Sequence, residues 1–453
     1  MRDMAGSAPE PKAIRGRLLS FTAEPSGPGD TASYRLIDDG LVVVRDGRIA
    51  EVGEARSLLP GLPPGTPVDH HPHGLIVPGL IDTHIHFPQT QVIASYGAQL
   101  LEWLNKYTFV EEQRFADPDH AARNASFFLD ELLRNGTTTA VVYATVHPGS
   151  VEALFAESER RGTAMIAGKV MMDRNAPPGL RDTAQSGYDE SRALIGRWHG
   201  RGRQLYAVTP RFAITSTEAQ LEAAGALNRE FSGVYMQTHL SENLKEIETV
   251  RGLFPDARHY TDVYDRYGLL GERSLFGHCI HLEDDEVRRL SESRSVAVFC
   301  PTSNLFIGSG LFDLERLARG RDPVRVSVAT DVGGGTSYSM LRTAAEGYKV
   351  LQLGGQNLPA LSAFHMMTRG NALSLGLGGT IGTIEPGCFA DLAVLDARAT
   401  PAMAHRMETV DGDLEEELFV LMTLGDDRAV AATYVQGRRA WDRDGGMGMV
   451  GAV

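Results

Sequence analysis

The chain has 453 residues, 42% hydrophobic and 23% charged, the balance of a soluble globular protein and not of a fibre or a disordered chain. Its 44 basic and 58 acidic residues leave a net charge of -14, which repels phosphate backbones and anionic lipid; a small molecule is the expected partner, with no nucleic acid and no membrane. Three cysteines in no paired spacing (Cys279, Cys300, Cys388), no apolar run of membrane-spanning length and no basic-then-apolar leader predict a reducing, cytoplasmic setting and exclude a thiolate zinc site.

Residues 1–12 are small and polar and read as a loose tail. Short β-type runs follow, such as 17–21 and 40–44, with the turn Asp46-Gly47 before 48–52, which predicts a small all-β unit. His70, His71 and His73 lie in a Pro- and Gly-rich connection with Asp69 as their one carboxylate neighbour, and read as an exposed loop and not as a metal site. Next comes Val-Pro-Gly-Leu-Ile-Asp-Thr-His-Ile-His-Phe-Pro-Gln over 77–89. Strand side chains alternate faces, so His84 and His86 project from one side and make half of a metal site.

Between about 75 and 383, apolar strands alternate with helical stretches. Strands are expected at 76–86, 137–144, 164–172, 206–214, 234–242, 275–280, 296–303 and 325–331. Helices between them include 120–134, 217–231, 284–294 and 340–351. This eightfold alternation predicts an α/β fold, a closed (β/α)8 TIM barrel with its chemistry at the C-terminal strand ends. Residues 384–453 return to β-type text and, with 13–74, are expected to form a small β-sandwich beside the barrel.

A barrel with a metal site should carry ligands at several strand ends. Strand five ends Gln237-Thr238-His239-Leu240-Ser241-Glu242, strand six Phe276-Gly277-His278-Cys279, and strand eight Ala329-Thr330-Asp331-Val332-Gly333-Gly334. Each alone is compatible with a core histidine or a capping aspartate; four coincidences point to a metal centre.

With these motifs the chain resembles the amidohydrolase superfamily, through Asp82-Thr83-His84-Ile85-His86, His239, His278, Asp331 and the closing segments 382–387 and 390–392. Stretches 88–90, 94–97, 101–109, 209–212, 238–243 and 330–339 narrow the resemblance to the guanine deaminases. It implies hydrolytic deamination of guanine to xanthine and ammonia by a homodimeric enzyme with a purine as its small-molecule substrate. The alternative is a related deaminase of another purine, a pterin or a triazine-like aminated heterocycle. The compact zinc-deaminase fold is excluded, since the chain has no Pro-Cys-x-x-Cys motif.

Two-metal members of the superfamily typically bridge their ions with a carbamylated lysine on strand four, and 207–212 holds none. One divalent ion, zinc, is therefore expected on His84, His86, His239 and Asp331, with a position open to water whose pKa falls from about 15.7 toward about 7. In this scheme Asp331 takes the water's proton and His278 hydrogen-bonds the nucleophile. Glu242 shuttles protons to a ring nitrogen and to the departing ammonia. The competing role for Glu242 is to cap the helix at 244–250. Arg211, donor-only, and Gln89, donor and acceptor, suit the guanine edge that presents O6 and N7 with a ring N–H. Phe212 is a stacking candidate, and His239, Glu242 and Asp331 border the substrate as well. Trp103 reads as packing, Lys169 as a surface or packing residue, and the glycine loop 333–337 as flexible, lacking a P-loop lysine.

Overall fold

The computed structural model describes residues 12–97 and 99–447. The expected tail thus lies outside the described residues except for Lys12, which opens the strand Lys12–Phe21.

Eight parallel strands run in ladder order: Leu80–His86, Thr137–Tyr143, Ala164–Gly168, Leu205–Pro210, Tyr235–Leu240, Ser274–His278, Val296–Phe299 and Arg325–Val328. They form the nearly closed barrel that the alternation predicts, and the first two strands are buried along their whole length, the polar Asp82, His84 and His86 included. At the seam between the first and last strands, the Thr83 hydroxyl donates to the Val328 carbonyl at 3.1 Å. The Asp331 amide donates to the His84 carbonyl at 2.9 Å.

The outer helices follow from local signals. Pro118–Arg134 starts where Asp117 accepts the Asp119 amide and Pro118 takes the first turn, and it buries Ala121, Ala125, Phe128, Leu129 and Leu132 as one stripe. Strands expected to run to 214, 242, 303 and 331 stop at Pro210, Leu240, Phe299 and Val328. Just past two of these ends, Ser241 and Asp331 take left-handed backbone angles, φ 50° each, that no strand can hold.

The two ends of the chain share one further sheet. Its order is Gly446–Met447, Arg438–Asp442, Val430–Val435, Leu392–Leu395, Val68–Pro78, Lys12–Phe21, Tyr34–Arg45 and Arg48–Glu54. Ile14, Val42, Ile76 and Val394 pack together, and Ala13, Leu41, Val43 and Ala55 form a second cluster. Two expectations are corrected here. The segment 76–86 is not one strand: it divides at Gly79 between this sheet and the barrel. His70, His71 and His73 lie not in a loop but in the strand Val68–Pro78, where His70 and His71 pair with Arg15 and Gly16; His70 and His73 are exposed, as expected. The His71 ring nitrogen Nε2 lies 2.8 Å from the Tyr434 hydroxyl, which donates to Asp69. Among the described residues, no helix is long and apolar enough to cross a membrane.

Candidate active site

The barrel's C-terminal face brings together every ligand candidate. His84 and His86 close the first strand, His239 and His278 end the fifth and sixth, and Asp331 follows the eighth. The Nε2 atoms of His84 and His86 lie 3.3 Å apart, and 3.4 and 3.3 Å from Asp331 Oδ1. His84, His86 and His239 form one set whose ligand-type atoms lie within 4.8 Å of one another; His84, His278 and Asp331 form a second. Room for this crowding comes from Gly277, where a Cβ would stand 2.6 Å from His84 Cε1. His278 and Asp331 have φ of 73° and 50°, conformations that cost a non-glycine residue about 1–3 kcal/mol and cluster at functional sites.

Outer contacts set the direction of each ligand candidate. His239 Nδ1 donates to the Arg211 carbonyl at 2.8 Å, and His278 Nδ1 to Asn304 Oδ1 at 2.8 Å, which turns both Nε2 lone pairs inward. Asp82 accepts the amides of His84 and Thr330, each at 3.2 Å, and the Thr330 hydroxyl, and so ties the first strand to the eighth. Burial brings His86 down to about 3 and holds His239 well below the usual imidazole range. Burial would push Asp331 up, yet the neighbouring His84 and His86 keep it well below the carboxylate range. With His86 and His239 held low, the imidazole nitrogens and the Asp331 carboxylate are a donor set suited to a divalent transition ion.

Glu242 is buried beside this cluster. Its Oε1 accepts the Ser309 hydroxyl at 3.1 Å, and its Oε2 lies 3.3 Å from His278 Nε2. Burial, and then the charge of Asp331, raise its pKa to about 8, so the carboxyl holds a proton at neutral pH. The capping role is filled by other residues. Asn243 accepts the Lys245 amide at 3.0 Å, and Glu246 accepts the amides of Glu242 and Asn243 at 2.9 and 3.1 Å.

A pocket runs from the cluster to Gln89 and Arg211, with Leu100, Trp103, Leu104, Phe212 and Ile307 as its apolar walls. Sequence reasoning missed the residue behind its far end. Arg211 Nη1 donates to both oxygens of Glu112, at 2.9 and 2.8 Å, and Gln89 Nε2 donates to Glu112 Oε1 at 3.1 Å. Asn304 and Ser309 were missed as well. The one available signal for Glu112 is that it extends the helical stretch on which Leu100, Trp103 and Leu104 face the pocket at helical spacing.

Two lesser expectations change, and of the two readings of Lys169, surface or packing, packing holds. Trp103 does not merely pack, since it lines the pocket while its indole N–H donates to the Ser95 carbonyl at 3.3 Å. Lys169 is 0% exposed and pairs with Asp182 and with Glu190 at 3.3 Å. The glycine loop is tightly packed: a Cβ on Gly333, at φ 124°, would stand 1.8 Å from Gln89 Oε1, so close approach and not flexibility explains it.

A model of the Amidohydrolase family matches residues 75–440. Guanine deaminase of Escherichia coli (strain K12) is 48% identical over 434 residues, 96% of this chain and 98% of the relative. A solved E. coli guanine deaminase superposes with a TM-score of 0.93 over 95% of this chain and 100% of the other. A guanine deaminase from C. acetobutylicum, solved with guanine bound in its active site, has a TM-score of 0.83 at 29% identity, covering 95% and 100%. Strand-end ligand candidates, barrel and matched length agree: the chain belongs to the amidohydrolase family.

Proposed function

We propose that this protein hydrolyses guanine to xanthine and ammonia. The carrying observation is one pocket with two unlike ends, a buried histidine and aspartate cluster with the protonated Glu242 beside it, and the Arg211 and Gln89 edge opposite. The 48% identity to a guanine deaminase and the guanine bound in the C. acetobutylicum relative support the choice of purine.

His84, His86, His239 and Asp331 would hold a single ion, and three imidazoles with one carboxylate favour zinc. When bound, it would supply Lewis acidity and make a water acidic enough to act near neutral pH. Arg211 and Gln89 bind the purine edge, while Phe212 and the apolar wall cover the ring and exclude water. Glu242 donates its proton to the ring nitrogen beside the carbon bearing the amine, which makes that carbon more electrophilic. Asp331 receives the proton of the attacking water. His278, with its Nδ1 proton engaged by Asn304, offers Nε2 as an acceptor that steadies that water. Glu242 takes up the proton that Asp331 received and passes it to the leaving nitrogen; as the carbon–nitrogen bond breaks and ammonia departs, the water's remaining proton leaves the new carbonyl oxygen and returns Glu242 to its protonated form.

On this reading the barrel expected at 75–383 carries the chemistry from Gly79 on, and 13–74 with 384–453 form an accessory unit to which residues 75–78 also belong. The enzyme works in a reducing cytoplasm, as its three free, buried cysteines favour, and as a homodimer, whose mass sedimentation would measure. The deciding experiment assays ammonia release from guanine, adenine and cytosine alongside metal content. Release from guanine with one zinc per chain is expected; no release from guanine, or a preference for adenine, overturns the assignment.

A further inference from the structure

Glu112 is 0% exposed, yet it lies on no barrel strand. It closes a helical segment of three parts, Leu100–Trp103, a wider π-type turn Leu104–Thr108, and Phe109–Glu112. Such turns shift helical register and recur at functional sites. Here Glu111 meets His120 Nε2 at 3.0 Å while Glu112 meets Arg211. Phe109 adds a ring under the Arg211 guanidinium, 5.3 Å from its centroid.

An ionised carboxylate only accepts hydrogen bonds. Gln89 must therefore turn its NH2 toward Glu112, which leaves its carbonyl oxygen as the group offered elsewhere. Arg211 gives Nη1 to Glu112 and keeps its remaining N–H groups for a ligand. The edge thus presents a donor from Arg211 and an acceptor from Gln89. Guanine complements that pattern with O6 and a ring N–H, whereas adenine places an amino donor where O6 would be. Glu112 also cancels the charge of Arg211 inside a water-poor pocket, so an anionic ring gains no net attraction there.

We propose that Glu112 is a positioning residue that fixes the hydrogen-bond polarity and the net charge of the purine-reading edge, and so selects a neutral purine over an anionic one. This rests on the guanine assignment above and deepens it. The test uses zinc-loaded enzyme, with urate as the anionic purine probe. Glu112→Gln keeps size and removes charge. It is expected to raise KM for guanine roughly tenfold or more while kcat stays within about threefold and zinc is retained. The inhibition constant for urate should fall, so that urate gains on guanine by roughly tenfold or more. Glu112→Asp, which keeps the charge with a shorter reach, should raise KM and leave discrimination against urate near that of the parent. If the parent enzyme does not deaminate guanine, the assignment beneath the proposal has failed. If the parent is active and Glu112→Gln changes neither KM nor the urate ratio, Glu112 is a counter-ion alone and the proposal is wrong. Should Glu112→Gln not fold, an unchanged KM in Glu112→Asp overturns it equally.

Discussion

The two ends of the pocket handle charge in opposite ways. At one end, donor atoms converge: the Nε2 atoms of His84 and His86 and the Asp331 carboxylate lie 3.3 to 3.4 Å apart, an arrangement that a bound cation makes favourable. At the other, Arg211 already has its counter-charge in Glu112, at 2.8 Å and out of water. The first end depends on a guest ion; the second is complete within the chain and suits a neutral guest. Damage to the first should therefore remove function with little loss of fold, whereas damage to the second should strand a buried charge and weaken both.

The largest effect is expected from His84→Ala, His86→Ala or Asp331→Ala. Each should lose zinc and lower turnover by about a thousandfold or more, since the acidity of the attacking water depends on the ion. Metal analysis with an ammonia assay checks this, and full zinc with parental turnover in any of the three would break the comparison. Glu242→Gln should keep zinc and KM but lose about a hundredfold or more in kcat, because an amide cannot shuttle protons; near-parental kcat would remove Glu242 from the chemistry. At the opposite end, Arg211→Met should retain zinc and lose about 1.5–3 kcal/mol of transition-state binding, about tenfold to over a hundredfold in kcat/KM. It should also lose about 3–5 kcal/mol of stability, because Glu112 is left buried and unpaired. Adding Glu112→Gln should restore most of that stability and none of the catalytic efficiency. Denaturant titration of the parent, the two single variants and the double variant measures the coupling, and additive losses would show that the pair does not act as a unit. The smallest effect belongs to Asn304→Ala, which frees the His278 ring: a roughly tenfold loss in kcat/KM with zinc kept is expected. A parental value would mean that His278 is held well enough without Asn304.

The same contrast governs what could be read before folding. The ligand candidates were legible because barrel topology forces chemistry to strand ends, and because a strand repeats every two residues, so His84 and His86 had to share a face. Arg211 and Gln89 were legible as motif text, although what orients them was not. Glu112 lies 99 residues from Arg211, Ser309 lies 67 from Glu242, and Asn304 lies 26 from His278. None of these pairs has a local spacing rule, since packing of separate elements makes them. The strand holding His70, His71 and His73 reads as a loop in the sequence for a related reason: His70 and His73 are indeed exposed, but Lys12–Phe21, far off in sequence, pairs with His70 and His71 and makes the segment a strand. Lys169 packs, as one of its two readings has it, but no local spacing announces its partners Asp182 and Glu190.

That shared sheet also sets a timetable for synthesis. Val68–Pro78 pairs on one side with Lys12–Phe21, which leaves the ribosome first, and on the other with Leu392–Leu395, made roughly 300 residues later. At about 5–20 residues per second, the strand leading into the first barrel strand waits some 15–60 s with one hydrogen-bonding edge bare. Throughout that interval the edge is a template for pairing with another nascent chain. Nascent chains halted before Leu392 are therefore expected to be cut by protease within 68–78, and chains halted well past Val435 to be protected there. Equal protection at both lengths would show that some other part of the chain shields the edge first.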